Sequence, residues 1–578
     1  MGHCLGRPVF MGTHGVVVAG HYLAAMAGNR MFEHGGNAID AGVASAFALA
    51  VLEPAQYGIG GEVPVLIYHA RSRQVIALSG QGQAPRAATV QRFRDMGLQL
   101  IPGDGLLAAT VPAVVGTLAT ALAHFGTLSL GQVLAPAIEL AAQGFAVYPK
   151  LQDFIAKTAE RMRREWPSSA AVFLPGDQVP AVGTLLKQTA WAETMQRLAD
   201  AEEHYLRRGQ DREQAILAAA DWFYTGDIAE ALVDFCQSNS FPDVSGDSHR
   251  GLLTMDDFAA YRTRLEAPVS VDYRGYRVHK CGPWSQGPVF LQQLNLLEGF
   301  DLAKMGHNSA QYIHTILEAA KLAFSDRERY YGDPLFADVP MDRLLSKEYA
   351  AQRRALIHAH RASLDYRPGD TPEFVRPEAA GGHTGDTTHV DAMDAEGNMM
   401  AATPSGGWFR SSPLVPGLGF ALGTRMQMFW LDENHPSGLR PGKRPRTTLS
   451  PSLVLKDGQP AMVFGTPGGD SQDQWTLQFF LNMVDFGMNV QAATEAPNFY
   501  SEHFHSSFYP RQAFPGRVAM EDRIPEPVRQ TLAAMGHIIR LEDGWSGGCV
   551  TGIVRDPVTG VMSAGASLRG EKAYAVGW

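Results

Sequence analysis

Residues 381–394 read GGHTGDTTHVDAMD, a polar glycine-rich run that meets Thr387, Thr388 and His389 before an alternating segment. One reading is a loop entering a strand, because Asp386 favours a turn and threonine favours extended backbone. The second reading is chemical. A threonine hydroxyl is a weak nucleophile without a neighbouring base, and one solution places Thr at a chain start, where its own α-amine, of pKa about 7.7–8.0, accepts the hydroxyl proton. An internal Thr387 reaches that state only if the preceding bond is cut. The hydroxyl must then attack the Asp386 carbonyl within a loop able to bend and depart.

Other candidates compete. GWSGG (544–548) matches the G-x-S-x-G nucleophile elbow around Ser546, but that arrangement needs an acid and then a histidine downstream, and no histidine follows Ser546. A glycine–serine turn between strands is the alternative. His358 and His360 with His503 and His505 form two His-x-His pairs that could ligate a metal. Neither pair has a nearby cysteine or a carboxylate-rich frame, and the first is expected on a charged helix, so no metal is assigned. No phosphate-binding GxxxxGK[ST] or helix-opening GxGxxG occurs, and no cofactor is implied. GIGGE (58–62) and TPGGDS (466–471) nevertheless offer backbone N–H groups to an anion.

The surrounding elements are α/β in texture. GVVVAG (15–20) and PVLIYHA (64–70) predict strands, and the segments 21–36 and 38–54 predict helices, the second ended by Pro54. From about 107 to 265 the pattern is helical, two strands follow near 269–282, and a helix pair covers 286–330. Residues 341–386 lose apolar periodicity and end in a long polar loop, which is the mark of a functional or disordered segment. Strands return at THVDAMD, MMAATPS, SPSLVLKD and PAMVFGT, followed by helices at 473–487, 490–496 and 525–535 and two last strands. Sheets covered by helices in layers are the expected architecture.

At 578 residues the chain is long enough for two to four domain-sized units, and with 45% hydrophobic and 19% charged residues it is an ordinary globular composition. The net charge of −10 without a basic block argues against nucleic acid as a partner. Cys4, Cys236, Cys281 and Cys549 are far apart, which excludes a CxxC motif and fits isolated thiols in a reducing compartment. The start MGHCLGRPVFMGTHG lacks a secretory run, Gly6 breaks the myristoylation pattern, and no eighteen-residue apolar stretch occurs. A cytoplasmic protein without a membrane partner is expected.

GGNAIDAGVASAFALAVLEP (35–54), FSDRERYYGDPLFADVP (324–340), GDTTHVDAMDAEGN (385–398), GKRPRTTLSPSLVLKDG (442–458), FGTPGGD (464–470) and FGMNVQAATEAPNF (486–499) together resemble the γ-glutamyltransferase family of N-terminal-nucleophile hydrolases. The motifs run in order along nearly the whole chain. The resemblance implies an α+β fold, a four-layer αββα sandwich, with no cofactor. It also implies self-cleavage between Asp386 and Thr387 into a heavy chain (1–386) and a light chain (387–578) that stay intertwined as one unit, possible dimers of which are left open. Thr387 would be nucleophile and, through its amine, base. Gly468 and Gly469 match the pair whose N–H groups form the oxyanion hole. Ser405 stands where the family has a threonine near the nucleophile's amine, and Thr447 and Thr448 stand on a Ser–Ser pair that contacts the substrate carboxylate.

The chain departs from the family at the acyl-binding positions. Gln81 (in SGQGQAP) stands where the family has its carboxylate-binding arginine, Arg425 and Met428 (in GTRMQMF) replace a glutamine and the ammonium-binding aspartate, and Gly407 replaces an asparagine. Losing an Arg fork and a paired carboxylate removes oriented binding of a zwitterionic glutamyl head. Arg425, with Arg410 nearby, would instead receive an anionic acyl group without an ammonium, as in family branches that act on oxamate or on glutaryl side chains of cephalosporins. A structural salt bridge is the competing role for Arg425, and Arg86 is a remote substitute for the missing arginine. The expected function is a self-processing N-terminal-threonine amidohydrolase or acyltransferase acting on a small-molecule amide, with water as acceptor. A true γ-glutamyltransferase or glutathione hydrolase, and an uncut, idle binding protein, are the rivals.

Overall fold

The computed structural model describes residues 6–369, 387–570 and 572–578, so Asp386 and the loop before it, like Cys4, lie outside the described residues. Two seven-stranded antiparallel sheets form the frame. The first runs in the order Tyr574–Gly577, Gly15–Ala19, Val390–Asp394, Met399–Ala402, Val65–His69, Gln74–Leu78, Leu265–Glu266. The second runs Phe10–Gly12, Met562–Ala566, Thr551–Arg555, Gln459–Gly465, Ser452–Lys456, Tyr276–Lys280, Val269–Tyr273.

The period-two alternation of each strand assigns its two faces to different layers. Val16, Val18, Met393 and Ala401 of the first sheet meet Leu453, Val463, Ile553 and Ala564 of the second in one apolar layer. Val17, Val65, Val390 and Ala402 turn the other way, onto the helices Tyr22–Glu33 and Ala38–Leu52. Val278, Val454 and Phe464 face the helices Pro288–Leu297, Ala310–Tyr330 and Gln472–Val484 on the far side. The order is therefore helix, sheet, sheet, helix. Helices between 114 and 238 thicken the first helical layer, as the sequence predicts. This stacking explains why Ala38–Leu52 is apolar all round: every one of its residues is buried. No helix among the described residues is long and apolar enough to cross a membrane.

Strands from before and after Thr387 interleave. Four strands of the first sheet and three of the second precede it, and the rest follow it. Neither sheet is complete without both halves of the chain.

Two local expectations need correction. His358 and His360 lie beyond the helix Lys347–Arg354, not on it, because the charged run has no apolar stripe to hold further turns against the core. Four strands, not two, follow the helix Glu526–Ala534. The first, Ile538–Glu542, pairs in parallel with Arg517–Glu521 in a small separate sheet, and its half-exposed residues give only a weak alternation.

The strand that continues from Thr387 is locked to the helical layer at its far end. Asp394 accepts the Ala38 N–H at 2.9 Å, and two residues on Asp40 accepts from Asn37 N–H (2.8 Å), Thr127 N–H (2.9 Å), Thr127 Oγ1 (2.8 Å) and Leu128 N–H (3.0 Å). A capping box thus doubles as the anchor of the 126–130 connection. Asp40→Ala is expected to lower unfolding free energy by about 3 kcal/mol, since it strands the buried Leu128 N–H and the part-buried N–H groups of Asn37 and Thr127. A urea midpoint within error of the parent would refute this account of the cap.

Candidate active site

Thr387 is fully buried and pairs as an antiparallel bridge with Ser405. Its Oγ1 donates to Ser405 Oγ at 3.2 Å, and its carbonyl accepts from Gln56 Nε2 at 2.9 Å. Gln56 Oε1 in turn accepts from Lys572 Nζ, which is ion-paired with Glu53. His389 fixes the same segment from below. Its ring nitrogens meet Thr403 Oγ1 and Asp391 Oδ1, both at 2.8 Å, and its ring lies where a side chain on Gly465 would be, 2.2 Å from an added Cβ. Burial pushes the Asp391 carboxyl up, and His389 with Thr551, which donates across from the other sheet at 3.1 Å, opposes that shift. Glycine at 465 is what lets the nucleophile candidate's strand approach the strand Gln459–Gly465 so closely.

That strand delivers Gly468 and Gly469. Both have positive φ, 127° and 54°, and both are walled in: a Cβ on Gly468 would lie 2.1 Å from Trp475 and one on Gly469 2.9 Å from Phe508. The turn lines a cleft of about 520 Å³ together with Trp475, Phe504, Phe508 and Gln512. Lys150, Pro467 and Cys549 line both this cleft and a small cavity beside Thr387, Thr388 and His389. The glycine turn and Thr387 are thus brought to neighbouring cavities that share part of their lining.

On the other side of Ser405 the GIGGE run packs backbone against backbone. Glu62 and Ser405 exchange N–H···O bonds of 2.9 Å, and a Cβ on Gly61 would lie 2.2 Å from the Ser405 carbonyl. The run is thus a close-approach segment that presents Glu62, a residue the sequence reading passed over. Glu62 Oε1 meets Arg425 Nε at 2.7 Å and accepts from Thr447 Oγ1 at 2.9 Å. Burial pushes the Glu62 carboxyl up and the Arg425 guanidinium down, and each charge is the other's principal compensation. Arg425 also lies between the rings of Trp408 (5.0 Å) and Phe508 (5.6 Å). All three of its nitrogens, Glu62 Oε2 and Thr448 Oγ1 are buried without hydrogen-bond partners among the described residues, the contact with Glu62 being an ion pair.

The structure gathers most of the predicted recognition residues. Gln81 donates to the carbonyl of Pro445, two residues before Thr447, and Met428 packs with Trp408 and Phe508. Gly407 adopts φ 67° beside Gly58. Arg410 donates to the Ala55 carbonyl (3.1 Å) and lies over the Trp408 ring (5.3 Å), the ring Arg425 also faces, whereas Arg86 is exposed beside Asp257.

Ser546 is exposed, and its hydroxyl donates to Glu542 rather than to a histidine, so GWSGG is a turn on the cleft wall. The two His-x-His pairs do not converge as ligands: His358 is exposed, while His503 is buried with Nδ1 accepting from Gly516 N–H at 3.0 Å. Among the described residues the structure instead groups His314, Glu318 and His537. His314 Nε2 donates to the His358 carbonyl and His314 Nδ1 accepts from His537, both at 2.8 Å. Glu318 is already engaged by Lys321 (2.6 Å) and Arg367 (3.1 Å), an arrangement that suits an ion-pair knot better than a cation site. Only the i, i+4 spacing of His314 and Glu318 hints at this cluster in the sequence.

Comparison with known proteins gives one consistent picture. A family model described as Gamma-glutamyltranspeptidase matches residues 24–577. The chain is 35% identical to the Acylase ACY 1 proenzyme of Pseudomonas sp. (strain SE83), over 92% of this chain and 88% of that protein. It is 33% identical to the Glutathione hydrolase-like YwrD proenzyme of Bacillus subtilis (strain 168), over 97% and 98%. A cephalosporin acylase from Bacillus halodurans superposes with a TM-score of 0.86 at 32% identity, covering 100% of this chain and 98% of the other.

The Glu62–Arg425 pair generates a stability test. Glu62→Gln leaves a buried guanidinium without its counter-charge and is expected to cost about 3–5 kcal/mol. Glu62→Gln with Arg425→Met removes both charges and should recover most of that loss in urea unfolding. A double variant as unstable as the single one would show that the pair is not the relevant interaction.

Proposed function

The chain belongs to the gamma-glutamyltranspeptidase family of N-terminal-nucleophile enzymes, and from that premise we propose that Thr387, freed by self-cleavage after Asp386, hydrolyses amides whose acyl group ends in a carboxylate. That it is an amidohydrolase or acyltransferase follows from the family and its acylase and glutathione hydrolase relatives. The residue roles and the acyl class are our reading.

Processing begins when Thr387 Oγ attacks the Asp386 carbonyl carbon and the peptide nitrogen takes a proton. Water then hydrolyses the resulting ester, leaving an Asp386 carboxylate and a free Thr387 amine. In turnover that amine accepts the hydroxyl proton as Oγ attacks the substrate amide carbon. The oxyanion lies between the N–H groups of Gly468 and Gly469, donors already oriented before charge develops. The ammonium protonates the leaving amine, an acyl-threonine ester remains, and water activated by the amine releases the acid. Ser405, 3.2 Å from Thr387 Oγ1, and Gln56, on its carbonyl, hold the nucleophile in place throughout. With strands of both segments in each sheet, the two chains remain one unit after the cut.

The observation that carries the acyl class is Arg425. Its two terminal nitrogens are buried and unpartnered beside Glu62, which also holds the Thr447 hydroxyl, and they suit a carboxylate. At the ammonium side Met428 and Gly407 offer no charge. The likeness to an acylase and to a cephalosporin acylase supports the same reading. One observation favours the glutathione hydrolase rival: Glu62 Oε2 is unpartnered and could accept from a glutamyl ammonium.

Two expectations follow. Thr387→Ala is expected to stay a single full-length band on a denaturing gel, whereas the parent yields a fragment whose N-terminal sequence begins TTHVDAM. A fragment beginning ATHVDAM from the variant, cut at the same bond, would mean that another group makes the cut. Glutaryl- and γ-glutamyl-p-nitroanilide differ only in the α-ammonium, so their kcat/KM ratio isolates it. A ratio of about ten or more in favour of glutaryl is expected, the size of one uncompensated buried charge contact. Preference for the glutamyl compound would establish the rival.

A further inference from the structure

Arg327, on the helix Ala310–Tyr330, is completely buried. Its hydrogen bonds converge on the turn that follows the second sheet. Nη1 donates to Asp470 Oδ1, the residue after Gly469, and to Gln286 Oε1 at 2.9 Å. Gln286 Nε2 donates to the Gly469 carbonyl at 3.3 Å. Nη2 donates to the His505 carbonyl at 3.1 Å, and Asp470 Oδ2 accepts the Ser507 N–H at 2.8 Å, which fixes the segment that presses Phe508 onto Gly469.

We infer that Arg327 is a positioning residue for catalysis, aiming the Gly468 and Gly469 N–H groups through Asp470, Gln286 and the Phe508 segment. This rests on the reading of those N–H groups as the oxyanion hole. The physical need is plain. Two consecutive glycines with φ of 127° and 54° have no side chains to hold them and a wide range of accessible backbone angles. Trp475 and Phe508 bound the turn on the side-chain faces, and the Trp475 indole N–H has no hydrogen-bond partner among the described residues. The Gly469 carbonyl accepts from the Gln472 N–H within the same turn and from the side chain of Gln286, and Gln286 is oriented by Arg327. The planar guanidinium is required because one group must reach Asp470, Gln286 and His505 in a fixed fork.

Oxyanion donors act on the transition state, so loss of their aim lowers kcat and spares KM. In processed enzyme assayed with the better of the two p-nitroanilides, Arg327→Gln is expected to lower kcat about tenfold to a hundredfold with KM within about threefold. Arg327→Lys, which can reach Asp470 but not the whole fork, should recover part of that loss. Affinity for the boronic acid analogue of glutarate, a tetrahedral mimic on Thr387, should fall with kcat while affinity for glutarate itself holds. If Arg327→Gln does not fold or process, Gln286→Met cuts the final link alone and should lower kcat at least fivefold. An unchanged kcat, or equal losses in boronate and glutarate affinity, overturns the inference. Gly469→Ala separates the two levels. If it leaves kcat intact, the oxyanion reading fails and the inference with it; if it lowers kcat while the Arg327 and Gln286 variants do not, only the positioning role fails.

Discussion

Glu328 accepts from Arg327 at 3.0 Å and from Arg446 at 2.8 Å, inside a region where all three side chains are almost wholly removed from water. Burial alone pushes the Glu328 carboxyl up, but the two guanidinium groups outweigh it and hold the acid well below its ordinary range. Such a group cannot shift without exposing an uncompensated charge to the core, so its partners are held at fixed positions. One partner, Arg446, immediately precedes Thr447 and Thr448. The other, Arg327, reaches Asp470 after the Gly468–Gly469 turn. A single carboxylate thus sets the distance between the candidate carboxylate subsite and the candidate oxyanion site, the two ends of one acyl group.

The layered frame makes that constraint effective. Arg327 and Glu328 belong to a helix packed on the outer face of the second sheet, whereas Thr387 enters the first sheet. Relative movement of the layers would misalign nucleophile and oxyanion donors. The layer between the sheets resists it with close apolar packing and with the Asp391–Thr551 hydrogen bond that crosses from one sheet to the other. Because each sheet mixes strands from both sides of Thr387, a cut at that residue would remove one covalent link and no layer contact.

The layered architecture was legible in the sequence because strand alternation and helix stops are local signals. GVVVAG and the wholly apolar 38–54 segment declare a strand with two buried faces and a helix with no exposed one. Short edge and peripheral strands such as Phe10–Gly12 and Ile538–Glu542 were missed, since three to five half-exposed residues carry little periodicity. The nucleophile candidate and the glycine pair were readable as motifs. Glu62, Gln56 and Arg327 were not, because each acts on a residue 143 or more positions away and nothing local announces the contact. GIGGE illustrates the limit: its glycines suggest an exposed anion loop, while in the structure they permit backbone contact with Ser405–Gly407 and carry an acid into the site.

The difference between what could and could not be read has a chemical basis. The reacting groups proposed here are an α-amine, a hydroxyl and two backbone N–H groups, of which only the hydroxyl is a side chain. Main-chain groups are indifferent to neighbouring substitutions as long as the turn and the strand keep their course, so this machinery tolerates wide change around it. Recognition of the acyl group is carried instead by side chains, and there a single exchange redistributes charge. Arg425 cannot stand alone in a dry pocket, so it requires Glu62. Glu62 in turn occupies the Thr447 hydroxyl and meets the guanidinium at Nε, leaving the outer nitrogens away from the pair's contact. The electrostatics of the pocket are therefore those of a pair whose unspent hydrogen bonds, rather than its net charge, select the substrate.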